Sequence, residues 1–83
     1  MTTSKAHFVL YGRPYCHLCD DMLAALDGLR SEFSFSVEVV DVDGDPLLDA
    51  QYGELVPVLT AGQRKLCHYF FDAAVVREFL LDD

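Results

Sequence analysis

Leu10-Tyr11-Gly12-Arg13-Pro14-Tyr15-Cys16-His17-Leu18-Cys19-Asp20-Asp21-Met22-Leu23 is the stretch from which the rest of this chain is read. An apolar run ends at its left, a helical pattern begins at its right, and two cysteines stand three positions apart at the join. To the left, Ala6 to Tyr11 reads as a first strand. Its Phe8-Val9-Leu10 is continuously apolar, the pattern of an inner strand covered on both faces. Gly12 and Pro14 force a turn, since proline has no amide hydrogen to give a ladder. To the right, from about Leu18 to Leu29, Met22, Leu26 and Leu29 recur at helical spacing, flanked by Leu18, Leu23 and Ala25. Asp20 and Asp21 fall in the first turn, where free amides and the positive end of the helix dipole favour acidic groups. Gly28 and Arg30 suit the helix end.

Further along, Phe33 to Val42 alternates and predicts a strand over 35–41, followed by an acidic turn from Asp41 to Asp45. Asp45 before Pro46 is a helix cap with proline at the first helical position. It opens a short helix over 46–52 that ends at Gly53 and turns Leu47, Leu48 and Ala50 toward the core. Leu55 to Thr60 is a strand with Pro57 at its mouth, because proline cannot serve a ladder in mid-sheet. Gly62-Gln63 turns the chain into a partner strand over 64–67. Asp72 caps a last helix to Leu81, with Val75, Val76, Phe79 and Leu80 buried. Asp82-Asp83 opposes the negative helix end and predicts fraying there. The order βαβαββα predicts an α/β fold, a four-stranded mixed sheet flanked by three helices on both faces. The first three strands are expected parallel through crossovers, with the fourth returning antiparallel.

Eighty-three residues make one small domain, 1–83, with a modest core and thin stability. With 52% apolar and 24% charged residues the chain is globular rather than disordered. A formal net charge of −8, with only six widely spaced basic residues, argues against nucleic acid and against anionic lipid. A basic protein partner is permitted but not required. The polar start, Met1 to His7, lacks the apolar stretch of a signal peptide, and no run approaches the length of a membrane span. The expectation is a cytoplasmic, soluble monomer. Three cysteines are an odd number and too few for a disulfide-stapled scaffold.

Cys16 and Cys19 share a face at a helix start, so their sulfurs can meet in a disulfide. Cys16 falls in the cap region, where orphan amides favour a thiolate. Cys19, one turn in and less exposed, would resolve whatever Cys16 captures. Asp20 and Asp21 oppose that charge separation. The main rival is half of a zinc site completed by Cys67 with His68 or His17, although adjacent residues are awkward corners of one tetrahedron. Two merely structural thiols are the third alternative.

Tyr11-Gly12-Arg13-Pro14-Tyr15-Cys16-His17-Leu18-Cys19, then Val56-Pro57, and the element order resemble the glutaredoxins and small glutaredoxin-like proteins of the thioredoxin-fold superfamily. The resemblance covers nearly the whole chain. It implies that Cys16 is the nucleophile, Cys19 the resolving thiol, Pro57 a cis proline facing the site, and Val56 the residue whose backbone pairs with a bound thiol substrate. It makes Arg13 the candidate for a glutathione carboxylate, although an arginine here could equally pair with Asp20 or Asp21. Tyr15 would stand near the thiol as a flat apolar contact or pack on the body. His17, when protonated, would stabilise the neighbouring thiolate, and Leu18 replaces a common aromatic and packs.

The chain departs from the family downstream. Aligned from Pro57, the usual glycine pair falls on Cys67 and His68, and the following acid is Asp72, one position late. Side chains there would fill the groove that glycines leave open for glutathione. Cys67 is then either a third reactive thiol or a buried apolar cysteine. Asp41, Asp43, Asp45 and Asp49 read as caps and solvated face, since a calcium loop would need a glycine where Pro46 and Leu47 follow. His7 reads as a surface or core histidine, and Tyr69-Phe70-Phe71 as core packing. The expected function is thiol-disulfide exchange through a Cys16-Cys19 dithiol on glutathione mixed disulfides or protein disulfides. No cofactor or metal is expected to be bound, and glutathione is a candidate substrate or reductant. A non-catalytic binding module on the same fold, and a thiol-ligated zinc or iron-sulfur protein, are the alternatives.

Overall fold

The structure, a computed structural model, describes residues 6–81; residues 1–5 of the polar start and the expected fraying at Asp82-Asp83 lie outside the described residues. In chain order it has β1 (Ala6–Gly12), α1 (His17–Gly28) with a 3-10 turn over Leu29–Ser31, and β2 (Phe35–Asp41) with a 3-10 turn over Val42–Gly44. Then come α2 (Pro46–Tyr52), β3 (Val58–Ala61), β4 (Arg64–His68) and α3 (Ala73–Leu81). The four strands form one mixed sheet in the order β2-β1-β3-β4, flanked by the three helices.

Strand β2 runs parallel to β1, with Ala6 opposite Phe35 and Gly12 opposite Asp41. Strand β3 runs antiparallel to β1, Tyr11 facing Val58, which corrects the expectation of three parallel strands. The connection explains the difference. Seven helical residues in α2 advance the chain roughly 10 Å, whereas seven strand residues span roughly 23 Å. The helix does not carry the chain back to the start of the sheet, so β3 sets out from the end where β2 stopped. Strand β4 pairs antiparallel with β3, with a bulge between Leu59 and Thr60. The ends of β1, β2 and β4 and the beginning of β3 therefore meet at one pole of the molecule, together with the start of α1.

One face of the sheet carries the core. Phe8 and Leu10 of β1 and Leu59 of β3 pack with the α1 stripe Met22, Leu26 and Leu29 and with Val76 of α3. The helical period read from the sequence thus marks the buried side of α1. The Phe8 ring meets Phe35 edge-on at 5.3 Å and Phe79 at 5.8 Å, arrangements that suit the ring quadrupoles. Thr60, the buried polar side chain, donates to the Val9 carbonyl at 3.3 Å.

Helix α2 lies over the opposite face, where Tyr52 stacks on Tyr11 at 4.2 Å. It buries no residue. Leu47 is 80% exposed, Ala50 is exposed and Leu48 only half-buried, so their expected core role is not what the structure shows. A two-turn helix at the end of a sheet is held instead by its polar ends: Asp45 accepts from the Leu47 and Leu48 amides, and Pro46 begins the helix.

Candidate redox site

The site is built where β1 hands the chain to α1. Cys16 is the N-cap residue of α1, with extended backbone, and its sulfur accepts from the Cys19 amide at 3.1 Å. Its carbonyl accepts from the Asp20 amide at 3.1 Å, so the helix winds from this residue onward. One turn apart, the two Cα atoms are 5.2 Å from each other and the sulfurs are joined in a disulfide. Cys16 is partly exposed whereas Cys19 is only 8% exposed. Gly12 at the end of β1 makes room for the inner sulfur: a Cβ there would lie 3.0 Å from Cys19 Sγ. Glycine is required at this point by close approach rather than by a turn.

The Val56–Pro57 peptide is cis. Tyr11 faces Val58 across the sheet, so Pro57 falls opposite Gly12 and hence beside the disulfide. Tyr69 holds this segment from the far side. Its amide donates to the Pro57 carbonyl at 2.9 Å and its hydroxyl to the Glu54 carbonyl at 2.8 Å. To do so Tyr69 adopts φ 64, in the left-handed region that glycine favours. The glycine-like backbone position is therefore Tyr69, while Cys67 and His68, where alignment put the glycine pair, are half-buried members of β4. Sequence reasoning missed Tyr69 because an aromatic run before a helix reads as core. In the structure only Phe71 of that run joins the core, and Tyr69 and Phe70 are exposed.

Tyr15 precedes Cys16, is wholly exposed and also lies in the left-handed region, with φ 61. Arg13 pairs with neither Asp20 nor Asp21. Its guanidinium pairs with Asp43, and Nη2 donates to Asp49 and to the Gly53 carbonyl, each at 2.8 Å. These bonds clasp the site loop to the turn before α2, to α2 itself and to its C-terminal end, and the Asp49 hydrogen bond leads the causes that raise the guanidinium pKa above its ordinary value. Asp41 and Asp45 cap their own turns, so the acidic run is accounted for by caps and by Arg13. His17 is exposed and pairs with Asp21 at 3.1 Å, across one helical turn.

Between α1 and the end of β2 a hollow of about 200 Å³ opens beside Cys19, lined by Leu10, Leu23, Val39 and Val40. Asp20 and Asp41, both exposed, and Arg13 are part of the same lining. Val39, which alternation alone would bury, is 58% exposed there.

Cys67 is free, and burial pushes its thiol up from the ordinary cysteine range. The Asp72 carboxylate acts in the same direction against a backbone hydrogen bond from Asp72. In the fully reduced protein at about pH 8, near an unperturbed thiol pKa, iodoacetamide is expected to label Cys16 well before Cys67. Peptide mapping checks the order, and equal labelling of the two would contradict it. Among the described residues no group of three or more His, Cys, Asp or Glu side chains is gathered to hold a metal, so the ligand set imagined for zinc is not assembled. None of the described helices is long and apolar enough to cross a membrane.

A mixed four-stranded sheet with a Cys-x-x-Cys disulfide capping its first helix and a cis proline opposite defines the thioredoxin-fold class of dithiol proteins. Within that class, the profile of the glutaredoxin-like domain (DUF836) matches residues 7–81, and the chain belongs to this family. The solution structure of protein Ne2328 from Nitrosomonas europaea is 39% identical, covers 96% of each chain and superposes with a TM-score of 0.88. The X-ray structure of XcR50 from X. campestris is 38% identical over 92% of this chain and 97% of that one, with a TM-score of 0.71. Thioredoxin 1 from Thermosipho africanus, at 19% identity and a TM-score of 0.60 over 92% of this chain and 96% of its own, shares the fold. No curated protein matches the chain.

Proposed function

We propose that this protein is a thiol-disulfide oxidoreductase in which Cys16 attacks and Cys19 resolves. The observation that carries this is the asymmetry of the bonded pair: the outer sulfur caps a helix and accepts an amide hydrogen, while the inner one is buried behind it. In the reduced protein the same amide and the helix dipole favour a thiolate at Cys16. That thiolate attacks one sulfur of a substrate disulfide, forming a mixed disulfide and releasing one substrate thiolate, which takes a proton from water. Cys19, deprotonated, then attacks Cys16 Sγ, closes the Cys16–Cys19 bond and releases the second substrate thiolate. Two electrons pass from the dithiol to the substrate, and an external thiol must return them.

We assign substrate contact to Tyr15, which precedes Cys16, and to Val56 and Pro57, whose cis peptide leads into β3 opposite Gly12. Arg13, committed to Asp43, Asp49 and Gly53, is assigned to holding the site loop instead of a substrate carboxylate. The test is to titrate the pair in thiol-disulfide buffers spanning roughly −270 to −180 mV, the range covered by thioredoxins, glutaredoxins and isomerases. Reversible cycling is expected. A disulfide that, once opened, never reforms in these buffers would instead favour a binding module without catalysis.

A further inference from the structure

Building on the oxidoreductase assignment, we infer that the substrate is a cationic polypeptide disulfide, with an aliphatic side chain near its cysteine, and that glutathione disulfide is selected against. The hollow beside Cys19 supplies the place for that side chain. Its walls are Leu10, Leu23, Val39 and Val40, Cys19 borders it, and Asp20 and Asp41 stand in its lining together with Arg13, whose charge is taken up by Asp43 and Asp49.

Charge commits the occupant. The topology places the described Lys and Arg residues other than Arg13 at the end of the sheet away from the disulfide, where Asp27 and Glu32 pair with Arg30 and Arg77. At the disulfide end lie Asp20 and Asp21 on α1, Asp41 at the end of β2, Asp43 just past it, Glu54 before the cis peptide and Asp72 before α3. Arg30, Arg64, Lys65 and Arg77 lie at the other end. Arg30 donates to the Phe35 carbonyl at the start of β2, Arg77 pairs with Glu32 just before it, and Arg64 and Lys65 leave the β3–β4 turn. Arg13 is the one described Lys or Arg at the disulfide end, and it is already paired with Asp43 and Asp49. A glutathione molecule brings two carboxylates and one ammonium to this surface and meets carboxylates. Tyr69 and His68, their rings 4.7 Å apart, also stand beside the cis-proline segment, His68 at one of the two positions that alignment gave to the usual glycine pair. A peptide with lysine or arginine beside leucine or methionine matches both the acidic surroundings and the apolar hollow. Opposite charge raises encounter rates by about tenfold or more when salt is low.

The test uses the reduced full-length protein against two disulfide-linked peptides, identical except for Lys-Leu or Glu-Leu beside the cysteine. Glutathione disulfide and uncharged hydroxyethyl disulfide complete the set, and each rate is divided by that with dithiothreitol. At ionic strength of about 0.01 M the lysine peptide is expected to react about tenfold or more faster than the glutamate peptide and glutathione disulfide. The advantage should vanish at about 1 M salt, where charges act over only ~3 Å. Asp20→Asn combined with Asp41→Asn should remove much of the ratio, and Lys65→Gln at the far end should leave it unchanged. Val39→Trp, which fills the hollow, should slow the Lys-Leu peptide relative to a Lys-Gly one. A lysine-to-glutamate ratio near unity at low salt, or glutathione disulfide as the fastest substrate, overturns the assignment. If hydroxyethyl disulfide is reduced while the peptides do not differ, only the substrate class is wrong. If no disulfide is reduced, the oxidoreductase assignment falls and takes this one with it.

Discussion

A Cys16→Ser protein is expected to lose disulfide reduction down to background, because the hydroxyl left at the α1 cap is not ionised near neutral pH and cannot replace a thiolate. Cys19→Ser is expected to behave differently. Its Cys16 still captures a substrate, but nothing one turn behind displaces it, so the mixed disulfide accumulates. Intact-mass measurement after mixing with a disulfide peptide reads the outcome directly: an adduct of one peptide on Cys19→Ser and none on Cys16→Ser. Reduction of glutathione mixed disulfides by a monothiol route can survive in Cys19→Ser, since a second glutathione can do the work of the missing thiol. If Cys19→Ser forms no adduct, the two roles are wrongly assigned.

Phe8→Ala is expected to cost about 3–5 kcal/mol, a large share of the roughly 5–15 kcal/mol that holds a small domain together. Phe8 is fully buried in the middle of the sheet and its ring touches both Phe35 and Phe79, so truncation removes contacts to β2 and α3 together. Strand β2 pairs with Phe8 itself and β3 with the next residue, Val9, which limits collapse into the space left behind. Urea unfolding of Phe8→Ala and Phe8→Leu checks this, the leucine variant retaining most of the stability. A loss below about 1 kcal/mol for the alanine variant would place the core elsewhere.

Much of the fold could be read in advance because local patterns and tertiary demands agree here. The Met22, Leu26 and Leu29 stripe marks the face of α1 that is buried, and Asp45-Pro46 with Gly53 brackets α2 at its observed bounds. The direction of β3 was not legible in its own residues, since Val58 to Ala61 are buried whichever way the strand runs. The length of the preceding helix governs that direction. At the site, the Cys16–Cys19 bond and the cis Val56–Pro57 peptide lie where motif and resemblance put them. Arg13 and Tyr69 show what stays hidden. The first finds its partners thirty and thirty-six residues away, and the second bonds back to Glu54 over fifteen. No periodicity encodes such pairings. A left-handed tyrosine is likewise not announced by its neighbours, because glycine, asparagine and aspartate are the residues that advertise that backbone.

Tyr15 has a consequence of its own. Holding a non-glycine residue in the left-handed region forfeits roughly 1–2 kcal/mol, and a ring surrounded by water recovers none of that from burial. A thinly stabilised domain thus maintains an aromatic plane in an unfavourable posture, one residue from its outer sulfur. In the proposed exchange a substrate arriving at the outer sulfur would meet that plane already displayed, so none of its binding energy would go into moving the loop.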